Sequence, residues 1–305
     1  MGGTVTAVTM PFEGLPASVR VLFAVVFVLV LAMLVWTTVL FAVSRRALRD
    51  APPRRPAPDD EFLWVFLVPA LNEEVTIHDS VHRLLAVEAR HTLVVVIDDG
   101  STDGTRAILD GIEDPRLHVV RREPPDARLG KAAALNAGWH ALDTLLGRDG
   151  LSSWPREQIV VGIIDADGRL DPTAPRYLAP HFADERVGGL QVLVRIYNRG
   201  RLLTWLQDVE FSVYGLLYQA GRTPFGVAAM GGNGQFNRLA ALDAIADDRA
   251  GGPWHHRLTE DQDLGLRLIA AGWNSVAEAR TSIDQQGLSN LGRLLRQRTR
   301  WSQGN

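Results

Sequence analysis

Two carboxylates one residue apart follow a strand-like run near the middle of the chain. The apolar run Ile159–Ile164 ends at Asp165-Ala166-Asp167, and Gly168 then turns the chain away. A short β-branched run bounded by turn residues predicts a buried strand. Ligands of open α/β sheets bind just outside the carboxyl ends of such strands. Two acids there suit Mg²⁺ or Mn²⁺ carrying a phosphate group, although an isolated Asp-x-Asp is more often a solvated turn.

Three further polar segments stand where strands end or helices begin. Pro69–Glu74 follows the first strand-like run, Asp98–Thr105 follows the second, and Thr259–Asp263 opens a helix predicted over Leu264–Ala271. Turn formation, helix capping and the helix dipole explain such residues without any chemistry. The functional interpretation makes one carboxylate of Thr259–Asp263 a general base.

A lysine and a glycine-rich segment also carry ligand-binding potential. Lys131 opens a helix after Gly130, where a cation meets phosphate oxygens, yet the Walker pattern is incomplete. Alone, such a lysine is more often a solvated helix-start residue. Met230–Phe236 is glycine-dense and permits close backbone approach to a ligand. A dinucleotide fingerprint from Gly232 would need glycine at Asn237.

Calcium-loop patterns fail on their details. A loop starting at Asp99 has Ser101 at the third position and Asp110 at the twelfth, and a strand rather than a helix precedes it. A loop starting at Asp165 would place Arg169 and Arg176 at ligand positions, where their side chains donate no oxygen.

Composition bounds the class of protein. The 305 residues allow one large domain or two small ones, and a net charge of −3 gives no global sign of nucleic-acid binding. The chain has no cysteine, which excludes disulfides, thiolate zinc sites and cysteine nucleophiles.

A long apolar run near the start predicts a transmembrane helix. Val21–Val43 contains 23 uncharged residues, and at the helical rise they span roughly 35 Å. A signal peptide has a shorter apolar core, and a buried soluble helix is the other alternative. Arginines are concentrated after the run at positions 45, 46, 49, 54 and 55. This asymmetry predicts that the following domain is cytoplasmic.

Strand-like and helix-like segments alternate after the apolar run, which predicts a mostly parallel α/β sheet. The predicted strands are Phe62–Val68, Leu93–Ile97, Leu117–Arg121 and Ile159–Ile164, and the predicted helices are Val75–Ala89, Gly104–Ile112 and Lys131–Leu146. Farther on, Leu202–Ala220 is either an amphipathic interfacial helix or a packed core helix. Leu291–Trp301 is basic and amphipathic, typical of a helix beside anionic lipid or of a soluble surface helix.

The motifs occur in an order that resembles one family. Pro69–Glu73, Asp98–Ser101, Asp165-x-Asp167, Thr259–Asp261 and the Gln-x-x-Arg-Trp ending at Trp301 follow one another. Together they resemble the family 2 glycosyltransferases, and more narrowly the membrane-bound processive branch that makes cellulose, chitin, hyaluronan and poly-N-acetylglucosamine. The resemblance covers about residues 62–305.

The resemblance implies a GT-A fold: a Rossmann-like, mostly parallel sheet with helices on both faces, preceded here by one transmembrane helix. It also implies a UDP-sugar donor, a divalent cation (Mg²⁺ or Mn²⁺), and inversion at the anomeric carbon. Asp261 matches the catalytic base and Asp167 the metal ligand. The implied donor-binding residues are Pro69, Ala70, Asn72, Glu73, Asp98, Asp99, Lys131 and Asp165. The implied acceptor and pyrophosphate residues are Glu260, Gln297, Arg298, Arg300 and Trp301.

Two departures from the family pattern bear on function. Leu71 stands where many relatives carry an aromatic residue, so base stacking is not implied there. Processive relatives continue into further membrane spans after the Gln-x-x-Arg-Trp motif, so we expect this chain to be a fragment. The expected parts are an N-terminal segment (1–17), a membrane helix (18–43), a basic proline-rich linker (44–60), the transferase domain (61–286) and an interface helix (287–305).

The leading hypothesis is a transferase that extends a polysaccharide at the cytoplasmic membrane face. Its partners would be the UDP-sugar, a glycan or lipid-linked acceptor, membrane lipid and membrane subunits, without nucleic acid. The alternatives are sugar transfer onto a polyprenyl-phosphate carrier and a catalytically silent nucleotide-binding scaffold.

Overall fold

The computed structural model describes residues 14–50, 59–147 and 151–304. Within these ranges eight strands form one sheet, with a buried apolar cluster on each face. The strands are β1 (Leu63–Ala70), β2 (Thr92–Asp98), β3 (Leu117–Arg121), β4 (Ile159–Ile163), β5 (Arg169–Leu170), β6 (Val187–Ile196), β7 (Gln235–Arg238) and β8 (Asn274–Gln285). The helices are α1 (Ala17–Asp50), α2 (Ile77–Leu85), α3 (Thr105–Asp110), α4 (Lys131–Leu146), α5 (Ala174–Phe182), α6 (Leu202–Val213), α7 (Ala220–Arg222), α8 (Leu239–Ala244), α9 (Glu260–Ala270) and α10 (Leu291–Gly304).

The sheet has the order β3-β2-β1-β4-β7-β6-β8-β5. The first four strands run parallel, β7 runs antiparallel to both of its neighbours, and β6 and β8 are parallel to each other. The predicted mostly parallel α/β sheet is confirmed. Because β7 is reversed, its beginning lies at the same edge as the carboxyl ends of β1, β2 and β4, and loops from both halves of the chain meet there.

Side chains of the central strands alternate between the two faces of the sheet, and this alternation builds the two buried clusters. Trp64 and Phe66 of β1 face one cluster, and Val65 and Leu67 face the other. Gly162 of β4 pairs with Phe236 of β7, and a Cβ on Gly162 would lie 2.6 Å from the Phe236 ring. This glycine therefore lets the reversed strand pack against the parallel half of the sheet.

The second half of the sheet was not predicted from the sequence. β7 has only four residues, Gln235–Arg238, and three of them are polar or charged residues buried completely or nearly so. Such a strand gives no alternating pattern. The helix predicted over Leu264–Ala271 begins earlier, at Glu260, so the acidic residues form its first turn, where the helix dipole favours them.

Helix α1 is a candidate membrane span, Ala17–Arg49, and an 18-residue window within it has a mean hydropathy of 2.8. It continues past the predicted end at Val43 to Asp50. Its later part packs on the domain: Leu40 is fully buried, and a Cβ on Gly221 would lie 2.8 Å from the Leu40 carbonyl. The Ser44 hydroxyl donates to the Leu216 carbonyl. Helix α1 is therefore attached to the rest of the domain by specific contacts. The predicted N-terminal segment up to residue 13 and linker residues 51–58 lie outside the described residues.

A buried carboxylate links α5 to β8. Glu278 accepts hydrogen bonds from the backbone N–H (2.8 Å) and Nε (2.9 Å) of Arg280, and His181 Nε2 lies 2.9 Å from its other oxygen. Burial alone would raise the pKa of Glu278, but the hydrogen bonds from Arg280 and His181 outweigh it and hold the pKa at about 2. This depressed pKa means that the native structure favours the ionised form.

We expect Glu278→Gln to lower the free energy of unfolding by about 2 kcal/mol, because Arg280 and His181 lose the anionic carboxylate that they contact. The contribution of Glu278 is present above the ordinary pKa of 4.5 and is lost as the pH falls toward 2. Thermal unfolding in detergent at pH 7 and at lower pH measures both effects. Glu113→Gln, at an exposed position, is the matched control. Equal destabilisation by both variants would contradict the role of Glu278.

Candidate active site

A half-buried lysine joins three segments at the sheet edge. Lys131 Nζ donates to Asp165 Oδ1 and, at 2.8 Å, to the carbonyl of Gly232. A Cβ on Gly232 would lie 3.2 Å from Asp261 Oδ2 and 3.3 Å from Lys131 Nζ. Lys131, the Asp-x-Asp turn, the glycine-rich segment and Asp261 therefore form one cluster, although the sequence predicts their roles separately.

Opposing effects act on the charge of Lys131. Burial lowers its pKa, but the carboxylates of Asp165 and Glu260, with a smaller contribution from Asp261, outweigh burial and raise it. The ammonium group is therefore retained. A fixed positive charge beside Asp165 is suited to the oxygens of a sugar nucleotide.

Carboxylates surround the Asp-x-Asp turn. Burial raises the pKa of Asp167, and the nearby charge of Asp165 adds to the rise. The N–H of Gln286, just after β8, donates to Asp167 Oδ2 at 3.3 Å. Burial also raises the pKa of Glu73, a hydrogen bond from Thr76 opposes it, and the charges of Asp167 and Asp165 reinforce it. A cation placed here would relieve this repulsion.

The donor set fits a divalent metal that is shared with a diphosphate. Among the described residues, no group of three or more His, Asp or Glu side chains could hold a metal by itself. Mg²⁺ commonly binds through one or two carboxylates and takes its remaining ligands from substrate phosphates and water. Asp167, with Asp165 beside it, supplies that number of hard oxygen ligands.

Three amide side chains, two of them buried, hold the glycine-rich segment against the turn. Asn233 Oδ1 accepts from the N–H of Asp165 (3.1 Å), and Asn233 Nδ2 donates to Gln285 Oε1 (3.0 Å). Gln191 Nε2 donates to the Asn233 carbonyl (2.9 Å), and its Oε1 accepts from the N–H of Gly231 (2.8 Å). Sequence reasoning missed Gln191, Asn233 and Gln285. The asparagine between two glycines was the one signal that could have indicated Asn233.

The predicted base begins a helix at the same edge. Asp261 is in the first turn of α9, and burial raises its pKa while the Gln262 N–H and Lys131 lower it in part. Burial raises the pKa of neighbouring Glu260 as well, opposed by Lys131 and reinforced by Asp261. Thr259 Oγ1 donates to the Gly304 carbonyl at 2.7 Å. The end of the Gln-x-x-Arg-Trp helix is therefore attached to the Thr259–Asp261 segment.

Hydrogen bonds link the loop after β1 to the loop after β2 at the same edge of the sheet. Asn72 Oδ1 accepts from the N–H of Thr102 (2.8 Å), and the N–H of Glu73 donates to Thr105 Oγ1 (2.8 Å). Asn72 has a left-handed backbone with φ of 59°, which asparagine tolerates better than most residues. Predicted donor-site residues Pro69 and Ala70 form the end of β1, where the Ala70 carbonyl accepts from the N–H of Asp99 (2.9 Å).

The implied donor-binding acids Asp98 and Asp99 are buried and already have protein partners. Asp98 Oδ1 accepts from the N–H of Ser101 (2.9 Å), and Asp99 is ion-paired to Arg122. Sequence reasoning did not identify Arg122. The two carboxylates are therefore held in fixed orientations, while Leu71 is 41% exposed beside them.

Residues of the Gln-x-x-Arg-Trp motif divide into two groups. Arg298 donates to Glu210 of α6 at 2.7 Å and lies 4.2 Å above the Trp301 ring. Arg298 also donates to Gln297 Oε1 at 3.3 Å, whereas Arg300 is exposed. The Arg298 side chain therefore joins α10 to α6, and its predicted help to the leaving diphosphate is not visible in this arrangement. Arg300 is left as the better candidate for that role.

We expect Asn233→Ala to weaken UDP-sugar binding by about tenfold and to cost about 1–3 kcal/mol of stability, because two hydrogen bonds beside Asp165 are lost. Calorimetric titration with a UDP-sugar and thermal unfolding measure the two effects. Asn136→Ala is the matched control, since buried Asn136 bonds the backbone of Ala250 and Trp254 instead. The Asn136→Ala variant should lower the free energy of unfolding without weakening UDP-sugar binding. Normal donor affinity in Asn233→Ala would contradict the positioning role.

Comparison with known proteins identifies the class of this site. The family model described as "Glycosyltransferase like family 2" matches residues 62–304. The chain therefore belongs to the family 2 glycosyltransferases, as the motifs indicate.

Relatives of known activity lie within this family. The beta-monoglucosyldiacylglycerol synthase of Synechocystis sp. is 33% identical over 245 residues, which cover 78% of this chain and 47% of that protein. The poly-beta-1,6-N-acetyl-D-glucosamine synthase of Staphylococcus epidermidis is 25% identical over 242 residues, covering 78% and 53%. The chain thus spans about half the length of the curated relatives it matches.

Solved structures share the fold. A mannosyltransferase from Pyrobaculum calidifontis, in complex with GDP-Man and Mn²⁺, has a TM-score of 0.60 at 20% identity, covering 92% of this chain and 72% of that one. Staphylococcus aureus TarS 1-349, in complex with UDP-GlcNAc, has a TM-score of 0.51 at 15% identity, covering 75% and 60%. The predicted GT-A fold is confirmed.

Proposed function

We propose that this chain transfers a sugar from a UDP-sugar to an acceptor hydroxyl at the cytoplasmic face of a membrane, with inversion at the anomeric carbon. The observation that carries the proposal is the convergence of Lys131, Asp165 and Asp261 around Gly232. The Lys131 ammonium group, which can bind phosphate, and the carboxylate of the candidate base Asp261 both lie beside Gly232.

The proposed base is Asp261. Its carboxylate takes the proton of the acceptor hydroxyl as the oxygen attacks the anomeric carbon. The attack comes from the face opposite the departing diphosphate, so one displacement inverts the configuration. Its position beside Gly232, across from Lys131, supports this assignment.

The donor is bound by the interlocked loops and by Lys131. Asp98 and Asp99, which are held by Ser101 and Arg122, bind the uracil. Asn72 and Glu73 complete the donor site on the same side. Asp167, beside Asp165, would hold the divalent cation, which neutralises charge on the diphosphate when it is bound. The Lys131 ammonium adds a fixed charge, and Arg300 is the exposed guanidinium assigned to the leaving group.

A growing polysaccharide is the acceptor that the sequence predicts, and the relatives that make poly-N-acetylglucosamine support it. A lipid hydroxyl is the second candidate. It is supported by the 33% identity to the glucosyldiacylglycerol synthase of Synechocystis sp.. For both acceptors, the arginines that follow the apolar run Val21–Val43 support a cytoplasmic site.

We expect Asp261→Asn to reduce turnover by at least about a thousandfold while UDP-sugar binding is retained, because only proton removal is lost. UDP release and calorimetric donor binding measure the two properties. Asp263→Asn is the control on the same helix, since Asp263 pairs with Arg267 and His255 instead. It should retain most turnover. Normal turnover in Asp261→Asn would eliminate the assigned base.

Chelation should abolish UDP release, and Asp167→Asn should raise the Mn²⁺ concentration needed for half-maximal activity about tenfold or more. A titration of UDP release against Mn²⁺ gives both values. Asp284→Asn on β8 controls for loss of a carboxylate at this part of the sheet. Activity that is insensitive to chelator would contradict the metal assignment.

A further inference from the structure

Helix α6 buries its polar side chains and exposes its apolar ones. Thr204, Gln207 and Asp208 are buried against the domain. The opposite side of the helix carries an apolar ridge of five side chains, each at least 38% exposed: Leu202, Trp205, Leu206, Val209 and Val213. A helix on the surface of a soluble domain has the reverse arrangement, with its apolar stripe toward the core. The α6 ridge therefore requires a separate explanation.

Hydrogen bonds on the inner side fix the direction in which the ridge points. Asp208 Oδ1 accepts from the backbone N–H of Ile196 (2.9 Å) and from Arg195 Nε (3.0 Å). Gln207 Nε2 donates to the Leu288 carbonyl (2.9 Å), and Gln207 Oε1 accepts from the Leu288 N–H (3.0 Å). A rotation that turned the ridge inward would leave these buried polar groups without partners. The ridge is therefore held outward by the fold.

The ridge ends beside the membrane helix. After Val213 the chain forms a π-helix over Tyr214–Gln219 and then continues into α7. The Ser44 hydroxyl of α1 donates to the carbonyl of Leu216 in this π-helix. The ridge extends along about 17 Å of helix, and its last residue lies within one turn of that contact. π-Helical turns are also common points of bending, so α6 can leave the direction of α1 here.

Contacts between α1 and the domain lie inside the uncharged run Val21–Val43. The rings of Trp36 and Phe225 have centroids 6.4 Å apart, and Leu40 packs against Gly221. Trp36 precedes the end of the run at Val43 by about 10 Å of helix. When α1 spans a bilayer, the surface around Phe225 therefore lies at the level of the lipid. The domain thus reaches the membrane beside the end of the ridge.

The residues of the ridge and its ends suit an anionic lipid surface. Trp205 lies within the ridge, and tryptophan is enriched at the boundary between membrane and water. The exposed Arg201 directly precedes Leu202, and Arg45 and Arg49 are exposed near the end of α1. Cationic side chains beside an apolar helix face are attracted to anionic head groups. Contiguous exposed apolar surface marks a contact site with protein or membrane.

We propose that α6 lies along the surface of an anionic phospholipid bilayer, with the α6 ridge in the boundary between head groups and acyl chains. The bilayer is favoured over a second protein because the ridge continues from a segment that α1 holds at membrane depth. The domain then rests on the membrane through its own helix as well as through α1. This inference goes beyond the proposed function and does not depend on it, since it concerns the position of the domain.

Docking of α6 would also set the height of the candidate active site. Arg298 of α10 donates to Glu210 on the flank of α6 at 2.7 Å. At the other end of α10, the Gly304 carbonyl accepts from Thr259 at 2.7 Å. A bilayer that fixes α6 therefore also fixes α10 and the segment that leads to Asp261.

Spin labelling tests the proposal, because the chain has no cysteine of its own. Nitroxide labels are attached singly to Leu202→Cys, Leu206→Cys and Val213→Cys in the full chain, which is reconstituted in nanodiscs of phosphatidylcholine and phosphatidylglycerol. Electron paramagnetic resonance then measures the accessibility of each label to oxygen, which concentrates among acyl chains, and to a water-soluble nickel chelate. Arg106→Cys, at an exposed position of α3 in the other half of the sheet, is the aqueous control.

We expect the ratio of oxygen to nickel accessibility to be about tenfold higher at the three ridge positions than at Arg106→Cys, since the apolar face of an interfacial helix is buried roughly 5–10 Å into the membrane boundary. The ratios at Leu202→Cys and Val213→Cys should also be similar, because α6 lies along the surface.

Two results would overturn the proposal. A ratio at the ridge equal to that of Arg106→Cys, or one that falls to that value from Val213→Cys to Leu202→Cys, would place the ridge in water. Low accessibility to both reagents would indicate a protein partner in place of lipid. Thermal unfolding checks that each labelled variant is folded, and Val209→Cys replaces any ridge variant that is destabilised. The measurement uses neither donor nor acceptor, so its outcome is independent of transferase activity.

Discussion

The half-buried ion pair of Lys131 with Asp165, completed by the Gly232 carbonyl, is the interaction on which the arrangement of the site depends. It ties the start of α4 to the end of β4 and to the segment before β7. These parts lie more than thirty residues apart along the chain. Removing the lysine would leave Asp165, Glu260 and Asp261 without their shared counter-charge, so their repulsion would act on both loops at once.

The reversed strand β7 makes this convergence possible. Because β7 runs antiparallel to β4, the Gly231–Gly234 segment before it arrives at the edge where the parallel strands end. Glycine at position 232 leaves room for Asp261 and Lys131 on the same side, and the amide of Asn233 holds the segment to Asp165. Strands β1, β2 and β4 thus hold their loops at this edge, and the segment before β7 packs against them. Such preorganisation is what charge stabilisation in catalysis requires.

Sequence patterns predicted the first half of the domain because its elements carry strong local signals. The strand Leu117–Arg121 and the helix Lys131–Leu146 have the same bounds in the structure as in the prediction. β7 was missed because its polar residues are buried by pairing rather than by their own hydrophobicity. Asn233 and Arg122 act through partners distant in sequence, so local spacing gives no sign of them. The acids at 98, 99, 165, 167, 260 and 261 stand out in the sequence because they follow strands or open a helix, and the family resemblance implies their roles. The clustering of Asp261 with Lys131 emerges only from the fold.

The central claim is that the lysine, the acids and the glycine-rich segment form one donor-binding and transfer site. Its most direct test is UDP release from a panel of UDP-sugars by the reconstituted chain with Mn²⁺, alongside Lys131→Met. The account predicts release from one preferred donor and, in Lys131→Met, loss of both donor binding and release, because the diphosphate loses its fixed positive partner. Unchanged binding and release in Lys131→Met would contradict the account.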